Sequence, residues 1–233
     1  MAIDTKKVMD FWSSRVEKMG TIPVEALTNL EENKSLMDEK VSLEQNKVFQ
    51  WINPTDETTI LDLGAGIGNW SLPLAKKSKK VLAVEYIDNL VEIGRKLAAD
   101  AGIKNIEFIC APAQDYVCNT KVDLVFISGL FVYLNDDDCE RLIGNLGSCC
   151  HESTQIFVRD GTGIGERREI NNKDSELLNA KYSAIYRTKD EYIKLFKGLG
   201  YELKKDDDMF PEGHQLNKYP ETRLRIYMFE KIQ

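Results

Sequence analysis

The chain has 233 residues, enough for one domain with a modest accessory segment, and 42% hydrophobic with 30% charged residues excludes a disordered or fibrous protein. A net charge of -7 sets up a long-range field that repels phosphate backbones, so no nucleic-acid partner is expected. The first residues lack the basic and then apolar pattern of a secretory signal, and no apolar run approaches membrane-spanning length, which predicts a cytoplasmic monomer or homodimer without membrane contact.

Residues 1–55 are predicted to form a helical cap or lid, because apolar residues recur at helical spacing, at Val8, Phe11, Trp12 and Val16 and again at Val41, Leu43, Val48, Phe49 and Ile52. The turn-forming run from Asn53 to Thr58 closes this segment, and residues 56–233 are expected to form the core. There, short β-rich runs (59–63, 80–84, 106–109, 123–127 and 155–159) alternate with helical stretches (69–77, 89–100 and 136–150). Alternation of this kind specifies a doubly wound, mostly parallel sheet with helices on both faces, an α/β fold. An insertion at about 161–187 follows, then a helix at 189–199 and two strands, 201–205 and 224–230, expected to pair antiparallel at one edge and complete seven strands.

The five cysteines (Cys110, Cys118, Cys139, Cys149 and Cys150) include no CxxC pair and read as reduced thiols, with no metal site expected. Asp136–Asp138 falls where a helix should begin and reads as capping charge, and Asp206–Asp208 at a strand end reads as solvated charge.

The stretch from Ile60 to Trp70 runs an apolar strand into Gly64, Ala65, Gly66, Ile67 and Gly68 and then into a helix. Glycines there allow a tight turn and close approach of a ligand to the main chain. Asn69 stands where a dinucleotide fingerprint carries its third glycine or alanine, which disfavours NAD, and no GK[ST] follows to suggest a phosphate loop. The next strand ends at Glu85, a carboxylate placed to accept hydrogen bonds from both hydroxyls of a ribose.

With LDLGAGIG, VEYIDNLVEIGRKLA, IEFICAPAQDYV and VDLVFISGLFVYLND, residues 59–160 resemble the class I (Rossmann-like) S-adenosylmethionine-dependent methyltransferases. The resemblance implies S-adenosyl-L-methionine as cofactor and S-adenosyl-L-homocysteine as product. It implies a cofactor site made of Asp62, Gly64, Ala65 and Gly66, with Glu85 on the ribose, Tyr86 beside the adenine, Ala113 and Gln114 at the adenine edge, and Ser128 and Gly129 under the methionine portion. Trp12 and Arg15 are added because the N-terminal segment resembles the lids of this family; a helix packed permanently on the sheet is the alternative. Where many relatives read Asp-Ala, this chain reads Pro112-Ala113, so Gln114, or else Asp115, must supply the adenine contact. Trp70 is open to two roles, shaping the substrate cavity or packing in the core.

The expected activity is methyl transfer to an oxygen or nitrogen of a small molecule; the alternatives are an inactive cofactor-binding module acting as a partner or scaffold, and a protein or nucleic-acid methyltransferase. Alcohols and amines need a base, and Asp160, His214 and Tyr133 are the catalytic candidates, Asp160 because it follows the fifth strand at the ligand-binding edge. Arg159, Arg167, Arg168 and Arg187 offer guanidinium forks to an anionic acceptor, or else pair with neighbouring acids such as Glu166 and Glu169.

Overall fold

The computed structural model describes residues 2–29, 31, 33–175 and 180–232; the remaining positions of the expected cap, insertion and core lie outside the described residues. A seven-stranded sheet forms the centre, built from β1 (Thr59–Leu63), β2 (Lys80–Glu85), β3 (Ile106–Cys110), β4 (Leu124–Ser128), β5 (Gln155–Gly163), β8 (Tyr201–Asp208) and β9 (Thr222–Lys231). Its order is β3-β2-β1-β4-β5-β9-β8. The first five strands run parallel, and β9 returns antiparallel against β5 and β8, as the alternating pattern predicts.

Side chains on the inner strands alternate between two buried clusters. Leu61, Leu63, Val125, Ile127, Ile156 and Val158 face α6 (Asp136–Leu146) and α7 (Lys189–Lys197), packing on Leu142, Leu146, Tyr192 and Phe196. Ile60, Leu124, Phe126 and Phe157 face the opposite layer of α3 (Lys34–Ile52), α4 (Ser71–Ala75) and α5 (Asp88–Asp100). Through Val48 and Ile52, α3 is part of this core layer, across the sequence boundary drawn at Asn53. Only α1 (Thr5–Arg15) and α2 (Ala26–Asn29) lie apart from it, with Val8 of α1 packed on Ile185 and Leu27 of α2 on Ile67.

Local chemistry explains the element ends. The Asn33 side chain caps α3 by accepting the Leu36 N–H, and Asn53 stops it in the left-handed conformation at φ 36°, just before Pro54. Thr188 and Glu191 close a reciprocal capping box on α7. Asp136–Asp138 occupy the first turn of α6, complementing its dipole as expected.

The structure adds detail to one expectation and corrects another. The insertion contains an antiparallel ribbon of β6 (Arg168–Ser175) and β7 (Ala180–Tyr186), which the polar run Asn171–Asp174 conceals from period-two analysis. The run Asp206–Asp208 is paired rather than merely solvated: Asp206 binds Lys189 and Arg225, Asp207 binds Lys47, and Asp208 binds Arg225.

All five cysteines are free thiols, and no group of metal-ligating side chains occurs among the described residues. No helix among the described residues is long and apolar enough to cross a membrane.

Candidate active site

The parallel strands end on one edge, and there β1, β2, β4 and β5 open onto a cavity of about 310 Å³, within the usual range for small-ligand sites. The glycine turn follows β1. Gly64 and Ala65 donate their N–H groups to the Val84 carbonyl at 2.9 and 3.0 Å, which ties the turn to the end of β2. Gly66 takes φ 57°, a conformation that an L side chain resists, and donates its N–H to the Glu85 carboxylate at 3.0 Å.

The other Glu85 oxygen accepts the Ile87 N–H at 2.9 Å. Burial pushes the Glu85 carboxyl upward, while these backbone donors pull it back. Each oxygen retains acceptor capacity for a ligand hydroxyl. Tyr86, Ala113 and Gln114 extend this wall of the cavity. Asp115 is turned away, pairing with Arg141 at 3.0 Å, so of the two alternatives Gln114 is the one at the cavity.

Asn69, in place of the third fingerprint glycine, donates to the Glu25 carbonyl at 2.8 Å and to the Thr28 hydroxyl at 2.9 Å, pinning α2 over the turn. On the facing side the wall is aromatic and acidic. Asp160 is fully buried, accepting from Gly161 N–H at 2.9 Å, Tyr192 hydroxyl at 3.2 Å and Val132 N–H at 3.3 Å; burial pushes its carboxyl to about 6 against those bonds. The Tyr133 and Tyr182 hydroxyls meet at 3.0 Å, with Tyr186 3.4 Å beyond, and the Trp12 indole stands edge-on to the Tyr133 ring. All four of these rings line the cavity.

Residues 60–152 match the family model described as "Methyltransferase domain". That match bears out, over those residues, the expected resemblance to the class I, Rossmann-like methyltransferases. A phosphoethanolamine N-methyltransferase 1 of Triticum aestivum is 36% identical over 145 residues, covering 60% of this chain but only 27% of that protein. A 23S rRNA (uracil(1939)-C(5))-methyltransferase of Marinomonas posidonica is 43% identical over a stretch of 65 residues, 28% of this chain and 15% of that one. Among solved structures, Haemonchus contortus phosphoethanolamine N-methyltransferase 1 in complex with phosphoethanolamine and S-adenosylhomocysteine superposes with a TM-score of 0.71 at 16% identity, over 97% of this chain and 50% of that one. The chain thus spans about a quarter of the wheat relative's length and half of the nematode chain.

Within the methyltransferase fold, most of the expected cofactor residues converge on the cavity: Gly64, Ala65, Gly66, Glu85, Tyr86, Ala113, Gln114, Ser128, Gly129 and Trp12 line it. Asp62 does not, lying behind the turn with its carboxylate bonded to the Ser71 hydroxyl. Arg15 also points elsewhere, donating to the Leu27 and Ala26 carbonyls at 2.8 and 2.6 Å and so bracing α1 against α2. Of the catalytic candidates, Asp160 and Tyr133 reach the cavity. His214 does not: it stacks on Phe210, accepts the Leu216 N–H at 3.2 Å, and faces Glu39 at 3.5 Å.

Arginines sort likewise. Arg167 pairs with Asp136, Glu169 and Glu191, Arg168 with Glu221, and Arg187 with Asp136 and the carbonyls of Phe131 and Leu134. Arg159 alone of the four lines the cavity, its guanidinium over the Trp70 ring at 5.7 Å, so that Trp70 both shapes the cavity and packs on Phe126. Sequence inspection missed Tyr182, Tyr186, Lys40 and Glu44 as cavity residues. Glu44 did carry a signal, a carboxylate inside the apolar stripe Met37, Val41, Val48 and Ile52.

Proposed function

We propose that this chain transfers a methyl group from S-adenosylmethionine to a nitrogen or oxygen of a small molecule. The observation that carries this is the continuity of one cavity from the ribose-ready carboxylate of Glu85 to the aromatic and acidic pocket at Asp160, Tyr133, Tyr182 and Tyr186. Two different ligands meeting end to end suit such a site.

The residues present fit the cofactor. Glu85 offers free lone pairs beside a glycine turn that lines the cavity, and Tyr86, Ala113 and Gln114 line the wall next to it, where a base would lie. Ser128 and Gly129 would floor the amino-acid end. When bound, the sulfonium cofactor supplies an electrophilic methyl carbon without further activation.

The chain's part is then to orient the acceptor, exclude water and hold a proton. Trp12, from α1, and Tyr182 and Tyr186, from the ribbon, close the cavity on two sides. Their ring faces attract an ammonium group. Asp160, with a carboxyl near 6, is ionised at neutral pH and suited to take a proton, and Tyr133 positions the acceptor beside it. Residues through Asn29 act as the cover, and α3 as a fixed wall.

Calorimetric titration with S-adenosylhomocysteine, with NAD as parallel titrant, tests the cofactor, and a methyl-transfer assay with labelled S-adenosylmethionine tests the acceptor. Phosphoethanolamine, the acceptor in the names of several relatives, is the first to assay. Binding of S-adenosylhomocysteine alone is expected; preference for NAD would overturn the proposal.

A further inference from the structure

One wall of the cavity carries more positive charge than its own residues neutralise. Arg159 and Asp160 are consecutive on β5 and so face opposite sides, Asp160 toward Tyr192 and Arg159 toward α3. There the Arg159 guanidinium, 9% exposed, donates to the Ser128 hydroxyl at 3.0 Å and to the Glu44 carboxylate. Its Nε–H, buried in the cavity wall, has no hydrogen-bond partner. A buried donor left unmade is unfavourable, and because the Arg159 side chain lines the cavity, a small shift of the guanidinium toward it would let a ligand acceptor satisfy the bond.

Lys40 lies one turn before Glu44 on α3 and lines the same cavity. Its ammonium donates to the main-chain and side-chain oxygens of Asn29, which leaves its third N–H for another acceptor. A buried guanidinium and a half-buried ammonium therefore lie near one carboxylate, Glu44, while the neighbouring Glu31 is matched by Lys218 at 2.8 Å. Desolvation drives the Lys40 ammonium down to about 8, with Arg159 adding to this and Glu44 and Glu31 opposing it.

A wider groove of about 630 Å³ adjoins the cavity, sharing Asn29, Lys40, Tyr182, Tyr186 and Leu224 with it. Lys40 stands at the junction, and the groove beyond is of mixed charge, with Lys218 paired to Glu31, Arg168 paired to Glu221, and Lys173 and Asp174.

We propose that Lys40 and Arg159 form an oxyanion subsite that binds a phosphate or carboxylate group of the acceptor molecule. The inference rests on the methyl-transfer reading of the cavity only for which ligand brings the anion. The cofactor's own carboxylate is the other source of the same chemistry, and the test separates the two.

The test titrates inorganic phosphate into protein saturated with S-adenosylhomocysteine, for the wild type and for Lys40→Gln, whose amide retains donors to Asn29 but no charge. Expected is saturable phosphate binding by the wild-type complex, weakened tenfold or more by Lys40→Gln and restored by Lys40→Arg, with S-adenosylhomocysteine affinity alike in all three. Should glutamine disturb α3, Lys40→Met serves as the second variant. Phosphate affinity unchanged by either substitution, or no phosphate binding to the wild-type complex, overturns the subsite. Phosphate binding by the free protein that S-adenosylhomocysteine abolishes overturns the acceptor assignment in favour of the cofactor carboxylate. If S-adenosylhomocysteine itself fails to bind, the methyl-transfer reading falls, and Lys40-dependent phosphate binding by the free protein still supports the subsite.

Discussion

The Glu85 carboxylate accepts the Gly66 N–H at 3.0 Å, so that the two halves of the proposed cofactor site, turn and ribose holder, are bonded to each other across 19 positions of sequence. Glu85→Ala removes this brace together with the charged acceptor. It should weaken S-adenosylhomocysteine binding by about 1–3 kcal/mol, the range for hydrogen bonds to charged groups and for a donor left unmade. Calorimetry on a variant with a native-like circular dichroism spectrum checks this, and unchanged affinity would remove Glu85 from the site.

Gly66 itself has little room for a side chain, and the obstacle is not only the ligand. A Cβ there would stand 2.9 Å from the Thr28 methyl on α2, at a backbone φ of 57°. Gly66→Ala should therefore destabilise the fold by about 1–2 kcal/mol through the left-handed conformation alone, and should also push α2 off the turn. The added Thr28→Ser change, which deletes that methyl, should recover part of the S-adenosylhomocysteine affinity but not the backbone penalty. Denaturant titration and calorimetry read the two separately; equal recovery of both would place the strain in the contact rather than in the backbone.

How far the sequence reveals such a site depends on how local its chemistry is. The strand, turn and carboxylate from Leu61 to Glu85 lie within one β-α-β unit, so apolar runs, glycine spacing and strand ends suffice to place them on one edge. Asp160 is legible for the same reason, two residues past the apolar run Ile156–Val158 of β5. By contrast, Tyr182 and Tyr186 enter the cavity from a ribbon whose outer strand is almost wholly polar, held in place by packing on α1 rather than by its own pattern. His214 and Arg15 show the opposite case: their chemistry suits the role, but contacts with Phe210 and with the α2 carbonyls place them away from the cavity.

Another long-range relationship joins Glu44 to Arg159, 115 positions apart and buried at both ends, with side-chain exposures of 3% and 10%. Removing one partner leaves an uncompensated buried charge, and Glu44→Leu should destabilise by about 3–5 kcal/mol. The double variant Glu44→Leu/Arg159→Leu should lie well above the sum of the singles, because neither charge then remains. A double-mutant cycle by urea denaturation measures the coupling; additive losses would mean that the pair contributes no mutual stabilisation.

Asp62 provides the pH dependence. Behind the glycine turn, burial raises its carboxyl from the ordinary 3.8 to about 7, with the Glu85 charge adding to the effect and the Ser71 hydroxyl opposing it. A folded state with the higher value holds the proton more tightly than the unfolded chain, so the Asp62 contribution to stability is fully present below about pH 4 and is lost as the pH rises toward 7. Within that window each pH unit removes up to about 1.4 kcal/mol. Asp62→Asn keeps an acceptor for Ser71 but cannot ionise. Relative to wild type it should therefore gain stability on the order of 2 kcal/mol between pH 5 and pH 7.5, because other titrating groups are common to both proteins. Parallel urea unfolding of the two proteins at those pH values decides the matter: an unchanged difference in unfolding free energy would show that Asp62 ionises at its ordinary pH in the folded chain.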